Sequence, residues 1–206
     1  MTEMRCAWMG VLLAVAAVSH GDRVIYVPTA TKILNRHFRV EHLWEPTKSN
    51  RFDTMLGVGV TRDIEVEFVL NRFDQTASLG TFNASFQFVP PLVDTAPGLS
   101  LGVQDALDRT PDGRGYYFAF TYRLGLDGEY NSRTPLEISM GGMFGRRNGL
   151  FVGVQLPFTW QFRGLVEHDT RRVTGGFEYR PLHGFAVRAL WRQGQTLLGV
   201  RYTAKF

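Results

Sequence analysis

The chain ends with QTLLGVRYTAKF, residues 195–206, and this stretch decides the fold. From Leu198 onward every second residue is apolar or aromatic, and the residues between them are polar or glycine. The apolar row consists of Leu198, Val200, Tyr202, Ala204 and Phe206. A β-strand alternates in this way when one face meets hydrocarbon and the other meets water or a polar lumen. The stretch therefore predicts an amphipathic strand, which a membrane barrel or a soluble sandwich could contain.

The same residues resemble the C-terminal strand of bacterial outer-membrane β-barrels. In those proteins a final phenylalanine and the alternating apolar positions before it form the assembly signal. The resemblance implies that the barrel assembly machinery is a partner of this strand. The implied assembly signal consists of Leu198, Val200, Tyr202 and Phe206.

Residues 1–19 have the composition of a secretory signal peptide. Arg5 precedes the apolar or small run Cys6–Val18, and cleavage is expected before His20. The run is shorter than the roughly 20 residues that a membrane-spanning helix needs. Because Cys6 leaves with the signal, the exported chain is predicted to contain no disulfide.

The composition of the remaining chain favours a β protein. The chain has 22 glycines, 16 phenylalanines and 13% aromatic residues, which suits aromatic packing and many turns. Its formal net charge of +4 is spread along the sequence, so no nucleic-acid groove is predicted. After the signal no stretch is long and continuously apolar. If the protein lies in a membrane, it has to be a closed barrel, because only helices and closed barrels satisfy all backbone groups in lipid.

The pattern of residues 37–206 predicts the barrel itself. These residues form twelve alternating runs of roughly nine to twelve residues, separated by turn residues. The runs Ile64–Phe73 and Thr81–Phe88 alternate most regularly. Residues 20–36 are predicted to be a periplasmic lead-in, since Pro28 prevents this short extended piece from serving as a central strand. The fold class is therefore all-β: an antiparallel transmembrane β-barrel of about 12 strands after a cleaved signal peptide.

Glycines and charges of both signs lie opposite the apolar rows. In a barrel these side chains face the lumen, whereas in a soluble sandwich they would face water, and this alternative stays open. Inward opposite charges can pair and narrow a passage, so low conductance is predicted, with a rise when Arg163 and Arg188 are replaced with Ala. The lumen-facing candidates are Glu65, Glu67, Glu137, Arg163, Glu167, Glu178, Arg180, Arg188 and Arg201.

Five short, different segments occur one after another along the chain, and their order is that of a known group of proteins. They are Val27–Ala30, Pro97–Asp105, Gly149–Val154, Glu167–Asp169 and Gly176–Pro181. Together they resemble the YjbH-type outer-membrane proteins linked to exopolysaccharide production. The resemblance implies an accessory in exopolysaccharide production or export, with polysaccharide and other export proteins as partners besides outer-membrane lipid. This sequence has a histidine where the family usually has the tyrosine of its E-Y-D segment, and it is shorter than typical members.

No pattern in the sequence indicates catalysis or metal binding. The five histidines lack the spacing of a zinc site, and Glu167-His168-Asp169 has no accompanying serine or cysteine nucleophile motif. We therefore expect a protein of the bacterial outer membrane that is not an enzyme and has no cofactor, metal or nucleic-acid partner. Besides an export accessory, two functions stay open: a small structural or adhesive barrel, and a narrow porin-like channel.

Overall fold

A computed structural model describes residues 23–48, 51–72, 78–125 and 135–206. Within these ranges twelve strands form one closed antiparallel barrel, in which each strand pairs with its sequence neighbours and the last strand pairs with the first. The predicted all-β barrel of about 12 strands is confirmed, while the expected signal peptide lies outside the described residues.

The strands are β1 (His37–Trp44), β2 (Phe52–Gly59), β3 (Ile64–Arg72), β4 (Leu79–Val89), β5 (Gly98–Gln104), β6 (Gly115–Leu124), β7 (Leu136–Gly145), β8 (Gly149–Pro157), β9 (Phe162–His168), β10 (Val173–Leu182), β11 (Phe185–Arg192) and β12 (Gln195–Lys205).

Side chains alternate between an outer and an inner face along every strand. In β3, Ile64 and Phe68 are exposed on the outside, while Glu65 and Glu67 are buried inside. The outer face therefore carries a band of exposed apolar and aromatic residues, which suits contact with hydrocarbon. Among the described residues no helix is long and apolar enough to cross a membrane.

The two ends of the barrel differ in what they carry. At the first end, hereafter the Phe206 end, β1 begins and β12 finishes. The opposite end, hereafter the Trp44 end, carries the connection between β5 and β6 and several tight turns. One of them joins β11 to β12 through Gln193 and Gly194, which both have positive φ. Two consecutive residues with positive φ are typical of a type I′ hairpin, whose twist matches that of paired strands.

Residues 23–33, hereafter the plug, lie inside the barrel. All of their side chains except that of Tyr26 are buried. The sequence predicted that residues 20–36 form a periplasmic lead-in, whereas the structure places this part of them in the lumen. The proline argument excluded a central strand correctly, but it carried no information about where a non-strand segment lies.

Apolar side chains hold the plug against the barrel wall. Val24, Ile25 and Val27 belong to the same buried cluster as the wall residues Leu43 and Leu165. Full burial of a valine or isoleucine side chain contributes about 1.5–3 kcal/mol. The interior at this level is therefore a hydrophobic core, and the lumen is filled.

Candidate functional site

The plug runs along the lumen and turns back near the Trp44 end. The backbone N–H of Ile33 donates to Glu65 at the Phe206 end, and the carbonyl of Tyr26 accepts from Gln104, where β5 ends. The chain then reverses in a turn in which Val24 N donates to Val27 O at 3.0 Å. The tip of the plug is therefore the segment around Tyr26.

One carboxylate holds the backbone of this tip. Glu167 on β9 accepts hydrogen bonds from the backbone N–H groups of Ile25, Tyr26 and Val27 at 2.9–3.0 Å. Its side chain is buried, with 1% of the residue exposed. Three successive N–H groups converging on one anion form a strong, charge-assisted contact. Glu167 therefore fixes the position of the turn.

The side chain of Tyr26 is held by separate contacts with two wall residues. Its hydroxyl donates to Asp53 at 2.7 Å, and the guanidinium carbon of Arg192 lies 4.0 Å from the centre of its ring. Burial and the neighbouring Asp53 carboxylate raise the pKa of the Tyr26 hydroxyl. The hydroxyl therefore stays protonated and available as a donor to Asp53.

Further polar contacts follow the plug towards the Phe206 end. Ala30 N donates to Thr121 at 2.6 Å, and the Gln87 amide donates to Ala30 O. Ser100 donates to the carbonyl of Thr29 at 3.2 Å. Buried backbone groups of a segment outside the sheet need such partners, and polar wall side chains supply them here.

Glycines in the wall provide the space that the plug occupies. A Cβ atom on Gly153 would lie 2.7 Å from Val24 Cγ2, and one on Gly57 would lie 2.7 Å from Ile33 Cδ1. Real Cβ atoms do not approach other atoms so closely. The sequence predicts glycines opposite the apolar rows, and the structure shows what these two accommodate.

A cluster of buried charges fills the wall on the side of β9 to β12 and β1. Glu178 lies 2.6 Å from Arg180, 2.8 Å from Arg188, 2.9 Å from Arg201 and 3.7 Å from Arg163. Nη1 of Arg188 donates to Glu41 on β1 at 2.5 Å, across the seam where β12 pairs with β1. Four guanidinium groups thus share two carboxylates. This part of the wall carries excess positive charge.

The structure places all nine lumen-facing candidates on the inner face, in four groups. Arg163, Glu178, Arg180, Arg188 and Arg201 form the cluster above. Glu65 and Glu67 share Arg39, and Glu67 also pairs with Arg23 of the plug. Glu137 pairs with Arg123 at 3.0 Å, and Glu167 binds plug backbone. The residues of the implied assembly signal, Leu198, Val200, Tyr202 and Phe206, lie on or beyond the outer face of β12.

Sequence reasoning missed several interior residues. Arg39 and Glu41 alternate with the outward Phe38 and Val40, so the period-two rule could have found them. Tyr26 had no comparable signal, because the plug is not a strand. Within the described ranges no three His, Cys, Asp or Glu side chains come together as candidate metal ligands.

The structure also changes the expectation about conductance. Paired inward charges were expected to narrow the passage, but the plug already occupies it. Replacing Arg163 and Arg188 with Ala would remove two of the four arginine partners of Glu178 and the Arg188 partner of Glu41, but it would leave the plug in place. The structure therefore predicts that those replacements do not raise conductance, contrary to the prediction from the sequence.

Comparisons with known proteins bear on the fold. No family model matches the chain, and no curated protein matches it. The similar solved structures include a KdgM porin, with a TM-score of 0.52 and 11% identity, and a KdgM porin in complex with disordered oligogalacturonate, with a TM-score of 0.51 and 11% identity. Each similarity covers 82% of this chain and 99% of the other chain. At this identity the likeness concerns the fold.

Proposed function

We propose that this chain is an outer-membrane β-barrel with a porin-like passage that its own plug keeps closed. The single observation that carries the proposal is the plug itself, buried in the lumen and bound there through backbone groups. The similarity to KdgM porins supports a barrel of a kind that can conduct. The exposed apolar band supports a location in a membrane, and the amphipathic last strand supports the outer membrane.

The solutes that the passage favours follow from the wall charges. With the plug displaced, the cluster around Glu178 would line one side of the lumen with four guanidinium groups and two carboxylates. Arginine binds carboxylate and phosphate groups in two-point contacts. This side of the lumen therefore favours small hydrophilic anions in the open state. One of the similar porins was solved with oligogalacturonate, an acidic oligosaccharide, which belongs to this class.

Planar-bilayer conductance tests the proposal. We expect the wild type to remain closed and a variant lacking residues 23–33 to show discrete, anion-selective openings. A second variant, Gly153→Leu, keeps the full chain but places its side chain where Val24 and Val27 lie, and it should also open. Gly175→Leu is the matched control, because the nearest atom to its Cβ is 3.7 Å away.

Two results would contradict the proposal. One is a wild type that conducts freely with the plug in place. The other is a folded, heat-modifiable variant without residues 23–33 that still does not conduct. The second result would favour the alternative of a small structural or adhesive barrel, in which the plug serves only as a core.

The role in exopolysaccharide production or export remains a separate prediction. It rests on the resemblance to YjbH-type proteins, and the similar solved structures do not bear on it. Deleting the gene should lower secreted polysaccharide, and re-expression of the wild type should restore it. Re-expression of a variant lacking Phe206 tests whether the assembled barrel is needed. Unchanged polysaccharide in the deletion strain would remove this role.

A further inference from the structure

A cavity at the Trp44 end lies between the tip of the plug and the surrounding loops. It measures about 100 Å³. A buried water needs roughly 10–15 Å³ of such space, so the cavity has room for several waters or for one sugar ring. The side chains that matter here are Tyr26, Asp53, Asn71, Gln104, Arg147 and Arg192.

The walls of this cavity are fixed by hydrogen bonds. Asp105 accepts from the hydroxyl of Thr81 at 2.6 Å and from the backbone of Thr110 at 2.7 Å, which holds the β5–β6 connection in place. Arg147 donates to Gln104 at 3.3 Å and pairs with Asp169 at 3.1 Å. A binding site whose groups are already ordered loses less conformational freedom when a ligand arrives.

The chemistry of the lining suits hydroxyl groups. Carboxylates, amides and guanidinium groups line the cavity, and each offers two-point hydrogen bonding to neighbouring hydroxyls. Four aspartates and four arginines balance one another, so the cavity has no formal net charge. A hydroxyl-rich ligand fits this lining better than a multiply charged ion without hydroxyl groups does. The four aspartates are Asp53, Asp105, Asp112 and Asp169, and the four arginines are Arg23, Arg147, Arg172 and Arg192.

Three lining residues also hold the plug. Asp53 accepts the Tyr26 hydroxyl, Arg192 covers the Tyr26 ring, and Gln104 donates to the Tyr26 carbonyl. A ligand that uses these groups competes directly with Tyr26 for them. Ligand binding in the cavity and binding of the plug tip to the wall are therefore coupled. By linkage, each lowers the affinity of the other.

We propose that this cavity binds the end unit of a saccharide and that binding loosens the tip of the plug. The inference rests on the proposed function, because it assigns a ligand and a release mechanism to the same plug. It predicts that saccharide arriving at the Trp44 end favours the open state.

Two measurements on the folded, detergent-solubilised full chain test the inference. Calorimetry with maltotriose and with trigalacturonate measures binding, and hydrogen exchange measures the amides of Ile25, Tyr26 and Val27. We expect at least one of the two trisaccharides to bind and to accelerate exchange at these amides. Neutral and acidic sugars are separate arms, since both carry the required hydroxyl groups.

Variants distinguish competition from a structural role. Asp53→Asn should weaken binding about tenfold or more, the loss expected for a charge-assisted hydrogen bond. Tyr26→Phe removes the plug hydroxyl that competes for Asp53, so it should strengthen binding. A purely structural Tyr26 would have the opposite effect or none. The control is Asp63→Asn, in the turn between β2 and β3 at the Phe206 end, which should bind like the wild type.

The outcomes separate this inference from the proposed function. If neither trisaccharide binds, or if bound sugar leaves exchange at the three amides unchanged, the inference is wrong, even where plug removal opens the barrel. If sugar binds and loosens the plug while the variant lacking residues 23–33 stays closed, the inference stands and the porin-like function fails.

Discussion

Arg188 Nε donates a hydrogen bond to Glu178 Oε2 at 2.8 Å, and at most 1% of either side chain is exposed. Buried ion pairs contribute little net stability, but removing one partner strands the other charge and costs about 3–5 kcal/mol. Glu178→Gln should lower the free energy of unfolding by this amount, because it deprives four arginines of a carboxylate. Glu41→Gln should lower it less, since Arg188 keeps its contact with Glu178.

Urea unfolding of the refolded barrel in detergent measures both free energies. The pair of variants is matched, because each replaces one buried glutamate by its amide. Equal costs for the two variants, or a cost below about 1 kcal/mol for Glu178→Gln, would contradict the assignment of Glu178 as the centre of the cluster.

The outer face gives a second prediction. Phe68 lies at the middle of β3, points outward and packs against Phe82 with ring centres 5.2 Å apart. Phe68→Arg should lower the free energy of unfolding in lipid by about 2–4 kcal/mol, the cost of an arginine on the lipid face at mid-membrane. Phe68→Leu is the control and should cost much less. Similar costs for both variants would mean that this face does not meet hydrocarbon.

A third prediction concerns the seam between β12 and β1. The rings of Tyr202 and Phe38 meet across it edge to face, with centres 6.1 Å apart. Such a pair contributes about 0.5–1.5 kcal/mol beyond burial. Tyr202→Ser combined with deletion of Phe206 should reduce the assembled, heat-modifiable form in membranes without reducing export. Lys205→Ser leaves the aromatic residues intact and should assemble normally. Normal assembly of the first variant would remove the role of these residues as an assembly signal.

Acid pH should loosen the β5–β6 connection. Burial alone would raise the pKa of the Asp105 carboxyl, but hydrogen bonds from Thr110, Thr81 and the backbone of Arg109 outweigh it and lower this pKa. A lowered pKa means that the ionised carboxylate stabilises the loop fully above about pH 4, the ordinary value for aspartate, and that this contribution is lost as the pH falls through the lowered pKa.

The amide signals of Arg109 and Thr110 in NMR spectra between about pH 2 and 6 report these hydrogen bonds, in the range where aspartate titrates. We expect them to shift together as the pH falls. In the Asp105→Asn variant the same signals should not respond to pH. A wild type without this titration would show that Asp105 does not order the connection.

Much of the fold could be predicted because the sequence of a strand alone indicates which of its side chains face inward and which face outward. The alternation of Glu65 and Glu67 with Val66 and Phe68 assigns inner and outer faces without reference to any other strand. The same rule put all nine charged candidates in the interior. It applies equally to Arg39 and Glu41, which alternate with Phe38 and Val40 along β1.

The plug could not be predicted in the same way. Its central contact joins Ile25 to Glu167 across 142 positions of sequence, and no periodic pattern connects them. The wall glycines were visible, but a glycine at position 153 is equally compatible with an empty lumen. Which groups occupy a cavity depends on packing in three dimensions, and for a short non-strand segment the sequence gives little of that information.

The position of the plug ahead of β1 has a consequence for how the chain folds. The seam pairs His37 with Lys205, so the cylinder closes only when its most distant parts in sequence meet. Such long-range pairings have a high entropic cost of loop closure, and they form slowly. Residues 23–33 lie just before β1 in sequence, so they are beside the first strand before the last strand is added. We therefore expect the wall to close around the plug, which would serve as an internal template for the barrel.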